Sequence, residues 1–252
     1  MADPGTSAAA CKALVVSRDA EVRQLLTESL QPLAIQAEIC EETQSAIRLL
    51  DSRKFEAVIV DMRLGEDAAL VMMELHHSRA NRRAVSFTIT PGNTATGLAG
   101  RADSMFVLER PLSPSSVSQT LRAAYGLMVR ERRRYFRCPV EIPAAIRTDH
   151  NPEEVSCKTV NISEGGVAVR CHTLLASHIP RGLRFQLPGR STQLFAETTE
   201  RWRLEGGVMG LEFGPFPPPQ KSELQEWLAQ RLEETMPESV AALSRGVGYP
   251  SR

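Results

Sequence analysis

Two short segments in the second half of the chain carry side chains suited to binding phosphates and purine bases. The first segment, residues 130–137, reads RERRRYFR and contains five arginines and one acid. A guanidinium group is a planar fork that pairs with phosphate oxygens or with guanine O6 and N7, and it stacks on purine rings. Arg133 and Arg137 are four positions apart, so a helix or tight turn would present both to one ligand. The alternative interpretation is a solvated helix end, where arginines suit the negative pole.

The second segment, NISEGG, begins 24 residues after Arg137. Asn161 and Ser163 have short polar side chains that can hydrogen-bond a base edge or a phosphate. Gly166 allows the backbone to turn or to approach a ligand closely. A simple turn between two strands would explain Asn161 by itself. That alternative leaves the preceding arginine segment unexplained.

The elements that must position these residues change character near residue 130. Before it, apolar runs predict strands at Ala13–Val16, Ala34–Ile39, Ala57–Val60, Ala84–Thr90 and Met105–Leu108. Segments with apolar residues three to four apart predict helices between them. The weakest helix is predicted at Thr94–Ala102, which contains two glycines. Such an alternation predicts a doubly wound parallel sheet with helices on both sides and with ligands at the carboxyl ends of the strands.

After residue 137 the pattern is that of short antiparallel strands. They are predicted at Val140–Arg147, Lys158–Ile162, Val167–Cys171, Leu183–Leu187, Leu194–Leu204 and Val208–Phe213. Glycine-containing turns separate several of them, which is typical of an all-β barrel or sandwich. A closing helix is predicted from the spacing of Leu224, Trp227, Leu228 and Leu232. The predicted fold class is therefore an α/β doubly wound sheet followed by a six-stranded antiparallel barrel with a C-terminal helix.

These patterns divide the chain into five parts. An α/β domain covers 11–129, and the barrel with its helix covers 139–235. Between them lies an arginine-rich linker, 130–138. Residues 1–10 and 236–252 are expected to be disordered tails.

Composition excludes several classes of protein. The 252 residues are 42% hydrophobic and 24% charged, as in an ordinary globular protein, and 30 basic side chains balance 30 acidic ones. This balance does not favour binding to long nucleic acids. The five cysteines show no CxxC spacing, so neither a disulfide framework nor a zinc site is predicted. No apolar run reaches the ~18 residues of a membrane helix and no signal peptide is indicated, so we expect a cytoplasmic protein without membrane insertion.

The first half resembles the response-regulator receiver family over residues 11–129. Asp61 ends the third predicted strand, where the family has its phosphoacceptor, and Thr90 matches the family's hydroxyl position. Arg110-Pro111 stands where the family has Lys-Pro. The resemblance implies a flavodoxin-like fold and a role in signal transduction.

The residues around Asp61 depart from the family's pattern. The family supplies two acids after the first strand to hold magnesium, an ion that prefers carboxylate oxygens, but this chain has Ser17 and Arg18 there. Asp19 is one position too late and is predicted to cap a helix. We therefore predict a degenerate receiver, with Asp61 paired directly to Arg18 or Arg110 and no metal ligands. Such domains usually serve in dimerisation or in docking a protein partner, and the sequence identifies neither the partner nor the oligomeric state.

The second half resembles the PilZ domain family over residues 131–232. The resemblance is carried by Arg133 and Arg137, by the pattern of Asn161, Ser163 and Gly166, and by GLEF at residues 210–213. It implies a receptor for cyclic di-GMP whose arginine segment becomes ordered when the ligand binds, which changes interdomain or partner contacts. Arg132, which precedes the motif, implies two ligand molecules per site.

The leading hypothesis is thus a non-enzymatic cyclic di-GMP receptor that needs no other cofactor. A phosphorylation-controlled response regulator with Asp61 as the active input is the alternative. A nucleic-acid patch at the arginines is disfavoured, because residues 130–252 hold only 17 basic side chains against 15 acidic ones. An enzyme is disfavoured, because the sequence contains no recognisable triad, metal cluster or carboxylate pair.

Overall fold

The computed structural model describes residues 11–92, 105–149, 154–171 and 179–235. Within them the chain forms two compact units that divide between Arg132 and Arg133. Both predicted tails and the helix predicted at Thr94–Ala102 lie outside the described residues.

The first unit is a parallel sheet flanked by helices. Its strands are β1 (Cys11–Val16), β2 (Ile35–Cys40), β3 (Ala57–Asp61), β4 (Val85–Thr90) and β5 (Phe106–Glu109). Its helices within the described residues are α1 (Ala20–Leu30), α2 (Thr43–Ser52), α3 (Glu66–His77) and α4 (Pro114–Tyr135). All strand pairs are parallel, in the order β2-β1-β3-β4-β5. This is the flavodoxin-like, doubly wound order, and it confirms the predicted fold class of this half.

Two apolar layers hold the helices against the sheet. Ala13 and Val15 of β1 lie in the layer with α1 and α4, whereas Leu14 and Val16 lie in the layer with α2 and α3. Side chains alternate in this way because successive residues of a strand point to opposite faces. Every residue of β3 and β4 is buried, as is typical of strands covered on both faces. The apolar run of β3 and the β-branched and aromatic residues of β4 are the reason that the sequence located both strands to within a residue.

The carboxyl ends of β1 and β3 lie side by side. The two strands pair in parallel register up to Val16 opposite Val60, so Ser17 and Asp61 follow at the same level. The strand order reverses between these two strands, and folds of this class bind ligands at such a position.

Helix α4 extends through most of the arginine segment. The predicted linker, 130–138, is helical up to Tyr135, so that only Phe136 and Arg137 separate the helix from the next strand. The buried face of α4 continues through Val129 to Glu131, and arginine is a good helix former. The helix therefore has no reason to end at residue 129, where the sequence analysis placed the boundary.

The second unit is a closed antiparallel barrel. Its strands are β6 (Cys138–Pro139), β7 (Pro143–Thr148), β8 (Val155–Ser163), β9 (Gly166–Arg170), β10 (Pro180–Gln186), β11 (Gln193–Arg203) and β12 (Val208–Phe213). The order β8-β7-β10-β11-β12-β9 closes into a ring through the pairing of β9 with β8. The six-stranded barrel is thereby confirmed. The short β6, which pairs with β8, is an addition that the sequence pattern did not indicate.

Helix α5 (Pro218–Glu234) follows the barrel. Its buried residues are the four predicted from their spacing, Leu224, Trp227, Leu228 and Leu232. The Trp227 indole N–H donates to the carbonyl of Pro188 at 3.2 Å, so a polar bond accompanies the apolar packing. None of the helices in the described residues combines the length and apolar composition that crossing a membrane requires.

Candidate functional site

The pairing of β6 with β8 brings the two halves of the predicted motif together. Cys138 lies opposite Ile162 and Pro139 opposite Asn161. Arg137, just before β6, is thereby delivered to the end of β8. Its Nη1 donates to Asn161 Oδ1 at 3.2 Å. Residues far apart in sequence thus meet at an exposed position, with the remaining guanidinium edge of Arg137 facing solvent.

Ser163 and Gly166 shape the turn between β8 and β9. The Ser163 hydroxyl donates to the carbonyl oxygen of Gly166 at 2.9 Å, in a buried position. A Cβ on Gly166 would lie 2.4 Å from the carbonyl oxygen of Leu211, so the close approach that requires glycine is to the backbone of β12. Both residues therefore act on the turn, and Asn161 is the motif residue of this segment whose side chain engages an arginine.

Arg133 lies in the last turn of α4 and is held by the end of α5. Its Nη2 donates to Glu233 Oε1 at 3.1 Å. The two side chains are 23% and 32% exposed, respectively. The Arg133 Nε–H is buried and has no hydrogen-bond partner among the described residues. Arg133 thus keeps unused hydrogen-bonding capacity beside its single ion pair.

Arg132 points to a different environment, inside the first unit. Its Nη1 lies 3.7 Å from Oε1 of Glu56, a residue that is 1% exposed. The other Glu56 oxygen accepts from the backbone N–H of Lys12 at 2.7 Å. Burial raises the pKa of Glu56, and the Lys12 N–H and the charges of Arg132 and Lys54 offset this only in part. Glu131 is similarly buried and pairs with Lys54 at 2.7 Å, so this turn of α4 is fastened to the first unit by charge.

Asp61, in the first unit, is enclosed by hydrogen-bond donors. It is 2% exposed. Its Oδ2 accepts from Nη2 of Arg110 and from the hydroxyl of Ser17, both at 2.8 Å. Its Oδ1 accepts from the backbone N–H of Arg63 at 3.1 Å. The predicted direct pairing with an arginine is confirmed, and the partner is Arg110.

The neighbouring charges complete this arrangement. Arg18 pairs with Asp67 at 3.0 Å instead of with Asp61. Asp19 caps α1, as predicted, by accepting from the N–H groups of Glu21 and Val22, and its Oδ2 accepts from Arg110 at 3.1 Å. Burial raises the pKa of Asp19, but the Val22 N–H and Arg110 outweigh it and hold the pKa below its usual value.

The residues around Asp61 do not suit a magnesium ion. An ion at Asp61 would have to displace the Arg110 guanidinium, and Ser17 uses its hydroxyl as a donor to the carboxylate. In the described residues no group of three or more histidine, cysteine, aspartate or glutamate side chains could hold a metal ion. Thr90 ends β4 and is buried.

Glu233 and Glu56 are the residues at these sites that sequence reasoning missed. Glu233 is 100 positions from Arg133, and it stands in an ordinary charged stretch of a helix. Glu56 follows an Arg-Lys-Phe segment whose two charged residues are typical of an exposed loop. No local pattern marks either residue, because each owes its role to an arginine brought to it by the fold.

Comparison with known proteins finds separate similarities for the two halves of the chain. Residues 131–230 match the family model described as the PilZ domain. No curated protein matches the chain. Solved structures similar to it include the receiver domain of a sensor histidine kinase from Pseudomonas aeruginosa PAO1, crystallised with magnesium in its active-site cleft. The two share 19% identity over 47% of this chain and 99% of that domain, with a TM-score of 0.42.

Two further receiver structures show the same extent of similarity. The chemotaxis response regulator CheY4 of Vibrio cholerae is 15% identical over 45% of this chain and 98% of its own, with a TM-score of 0.41. The signal receiver domain of an HD domain-containing protein from Pseudomonas fluorescens Pf-5 is 21% identical over 50% of this chain and 94% of its own, with a TM-score of 0.44.

Proposed function

We propose that this chain, which carries a PilZ domain at residues 131–230 after a receiver-like domain, is a receptor for cyclic di-GMP and not an enzyme. The observation that carries the proposal is the contact between Arg137 and Asn161. It unites the arginine segment with the NISEGG turn in one place. Among the described residues both side chains keep N–H groups with no partner beyond this contact, which suits a ligand rich in acceptors.

The chemistry of the site matches that of a guanine dinucleotide. Arg133 and Arg137 are proposed to bind phosphate oxygens and guanine O6 and N7 through their planar forks. Asn161 is proposed to bind a guanine edge with its amide group. Ser163 and Gly166 are proposed to contribute by holding the β8–β9 turn in the shape that positions Asn161, as their buried contacts favour.

The number of ligand molecules depends on Arg132. We propose two molecules of cyclic di-GMP per site, the second of which stacks on the Arg132 guanidinium. Because Arg132 lies next to buried Glu56, it must leave that carboxylate to reach a ligand, and taking a cation away from a buried carboxylate is costly. The second molecule should therefore bind more weakly than the first. Calorimetry that gave a single molecule at saturation would contradict this.

We propose that binding alters the contacts of segment 130–138, which joins the two units, and that the first unit docks a protein partner or a second copy. Hydrogen exchange with and without ligand tests the first part. The backbone amide of Arg137, which lies between α4 and β6, should gain protection, whereas that of Phe136 already donates to the carbonyl of Arg133. Exchange that is unchanged throughout 130–138 would contradict the switch.

Titration by calorimetry tests the ligand. The protein should bind cyclic di-GMP with at least micromolar affinity and cyclic di-AMP far more weakly. Arginine donors suit the two acceptors on the guanine edge, whereas adenine presents an N6 amino donor at that position. Equal affinity for the two nucleotides would refute the assignment.

The alternative, control by phosphorylation of Asp61, is not supported by its surroundings. A phosphoacceptor needs a free carboxylate oxygen and a metal, but Asp61 is enclosed by Arg110, Ser17 and the Arg63 N–H. We therefore expect no stable phosphorylation by small phosphodonors with magnesium. A phosphate-dependent gel shift that disappears in Asp61→Asn would restore the alternative.

A further inference from the structure

Glu233 occupies the guanidinium group of Arg133, which a ligand phosphate would need for its own hydrogen bonds. Glu233 Oε1 accepts from Arg133 Nη2 at 3.1 Å. Carboxylates and phosphates are the two classes of anion that the guanidinium fork recognises, and they use the same N–H edges. A phosphate can therefore take this edge of Arg133 only if the carboxylate leaves it.

The stability of α5 does not explain an acid at position 233. Glu233 and Glu234 are the last two residues of the helix. The carboxyl end of a helix carries partial negative charge, so acids in the last turn are unfavourable there. Glu234 has a local partner in Arg231, three positions earlier, at 2.8 Å. Glu233 instead reaches across the second unit to α4.

We infer that Glu233 is an internal competitor for the ligand site, a carboxylate that occupies Arg133 until a phosphate of cyclic di-GMP displaces it. The inference rests on the proposed function and adds a residue that sets its affinity. Glu233 holds the guanidinium in place in the free protein. Its competition raises the ligand concentration at which the receptor becomes occupied. Because both side chains are partly exposed, the pair is weak enough to exchange.

Charge makes this competition selective. A ligand must supply at least as much negative charge at Arg133 as the carboxylate that it replaces, and each phosphodiester of a cyclic dinucleotide does so. The Arg133 Nε–H is buried without a partner among the described residues, because Glu233 accepts from Nη2. A bound phosphate can supply the acceptor that this N–H lacks. Displacement thus exchanges one charge-assisted hydrogen bond for more than one.

The test compares Glu233→Gln with Glu234→Gln by calorimetric titration of the full chain with cyclic di-GMP. Both variants remove one negative charge from the last turn of α5, but only the first removes the carboxylate charge that pairs with Arg133. We expect Glu233→Gln to bind roughly threefold to fivefold more tightly than the wild type, the upper end of the range for release of an exposed ion pair. Glu234→Gln should stay within about twofold of wild type, since its partner is Arg231. Melting temperatures should be nearly unchanged, since glutamine is isosteric and relieves the helix dipole.

A double-mutant cycle separates competition from a general change in charge. In an Arg133→Ala background, Glu233→Gln should no longer alter the affinity. Wild-type binding with no tightening in Glu233→Gln, or equal tightening in both glutamine variants, would overturn this inference and leave the receptor proposal intact. Absence of binding in wild type and in Glu233→Gln alike would overturn the receptor proposal, and this inference with it.

Discussion

In both units arginine side chains donate to side-chain oxygens, but the contact is buried in the first unit and exposed or partly exposed in the second. In the first, Arg110 is 13% exposed and holds an Asp61 carboxylate that is 2% exposed and has two further donors. In the second, Arg137 is exposed and donates a single bond to Asn161, and Arg133 shares a partly exposed ion pair with Glu233. The two sites therefore differ in how deeply the arginines are buried and in how many donors surround the group that each arginine contacts, although their chemical groups are similar.

This difference decides what each arginine can do. Removing one member of a buried ion pair typically costs ~3–5 kcal/mol, because the other charge is left without solvent or partner. Exposed pairs contribute only ~0–1 kcal/mol. Arg110 is therefore fixed to Asp61 as a structural element, whereas Arg133 and Arg137 can exchange their present partners for a ligand at little cost.

The largest effect should come from breaking the buried pair. Arg110→Met leaves Asp61 buried with only the Ser17 hydroxyl and the Arg63 N–H, so we expect a loss of about 3 kcal/mol in the free energy of unfolding. Denaturant unfolding measures it. The control is Arg18→Met, which breaks the exposed pair with Asp67 and should cost under ~0.5 kcal/mol. Equal stability of the two variants would show that Arg110 is not structural.

The next effect tests the turn that supports the second site. Gly166→Ala would place a Cβ 2.4 Å from the carbonyl oxygen of Leu211, whereas a Cβ on Gly165 has nothing within 4 Å. We expect Gly166→Ala to destabilise the protein by about 2 kcal/mol, through displacement of backbone, and Gly165→Ala to be nearly neutral. Thermal melting of both variants checks this. The assignment fails if the two alanines are equally tolerated.

Removal of an exchangeable arginine should affect binding and spare stability. Arg137→Ala should weaken binding of cyclic di-GMP about ten- to a hundredfold, since one charge-assisted hydrogen bond is worth ~1.5–3 kcal/mol. Its melting temperature should match that of the wild type, because exposed substitutions cost under ~0.5 kcal/mol. Arg134→Ala, outside the four-residue spacing, is the matched control for affinity. Normal binding by Arg137→Ala would mean that the arginine serves the fold alone.

The smallest effect concerns Glu56, the buried acid beside Arg132. Its pKa is raised by burial, so the folded protein binds this proton more tightly than the unfolded chain does. The contribution of Glu56 to the free energy of unfolding is therefore fully present below its pKa in the unfolded chain, ~4.3. This contribution is lost as the pH rises through the higher pKa of Glu56 in the folded protein. Glu56→Gln should gain stability relative to wild type between pH 4 and pH 7. Glu41→Gln, at an exposed site, should show no such trend, and a flat difference for Glu56→Gln would contradict the prediction.

The elements were largely predictable because their signals are local. All five strands of the first unit lie within two residues of the apolar runs that predicted them, and the buried face of α5 is the predicted one. The apolar run of a strand covered on both faces, or the apolar periodicity of an amphipathic helix, is visible within about ten residues of sequence. The linker predicted at 130–138 lies in α4 up to Tyr135, because the buried Glu131 extends the helical face beyond residue 129.

The candidate site was predictable in its members and not in its contacts. The sequence by itself determined that Arg133, Arg137 and Asn161 are present in the pattern that resembles the PilZ family, and that positions 17 and 18 carry no acid. Only the tertiary structure decided that Arg137 meets Asn161, that Arg110 and not Arg18 holds Asp61, and that Arg133 is engaged by Glu233 while Arg132 lies against Glu56. The physical reason is that a side chain's type and the local periodicity belong to the chain, whereas the partner of a charge is chosen by which strands and helices lie side by side. Most of these pairs join residues 24 to 100 positions apart, beyond the range of any local pattern.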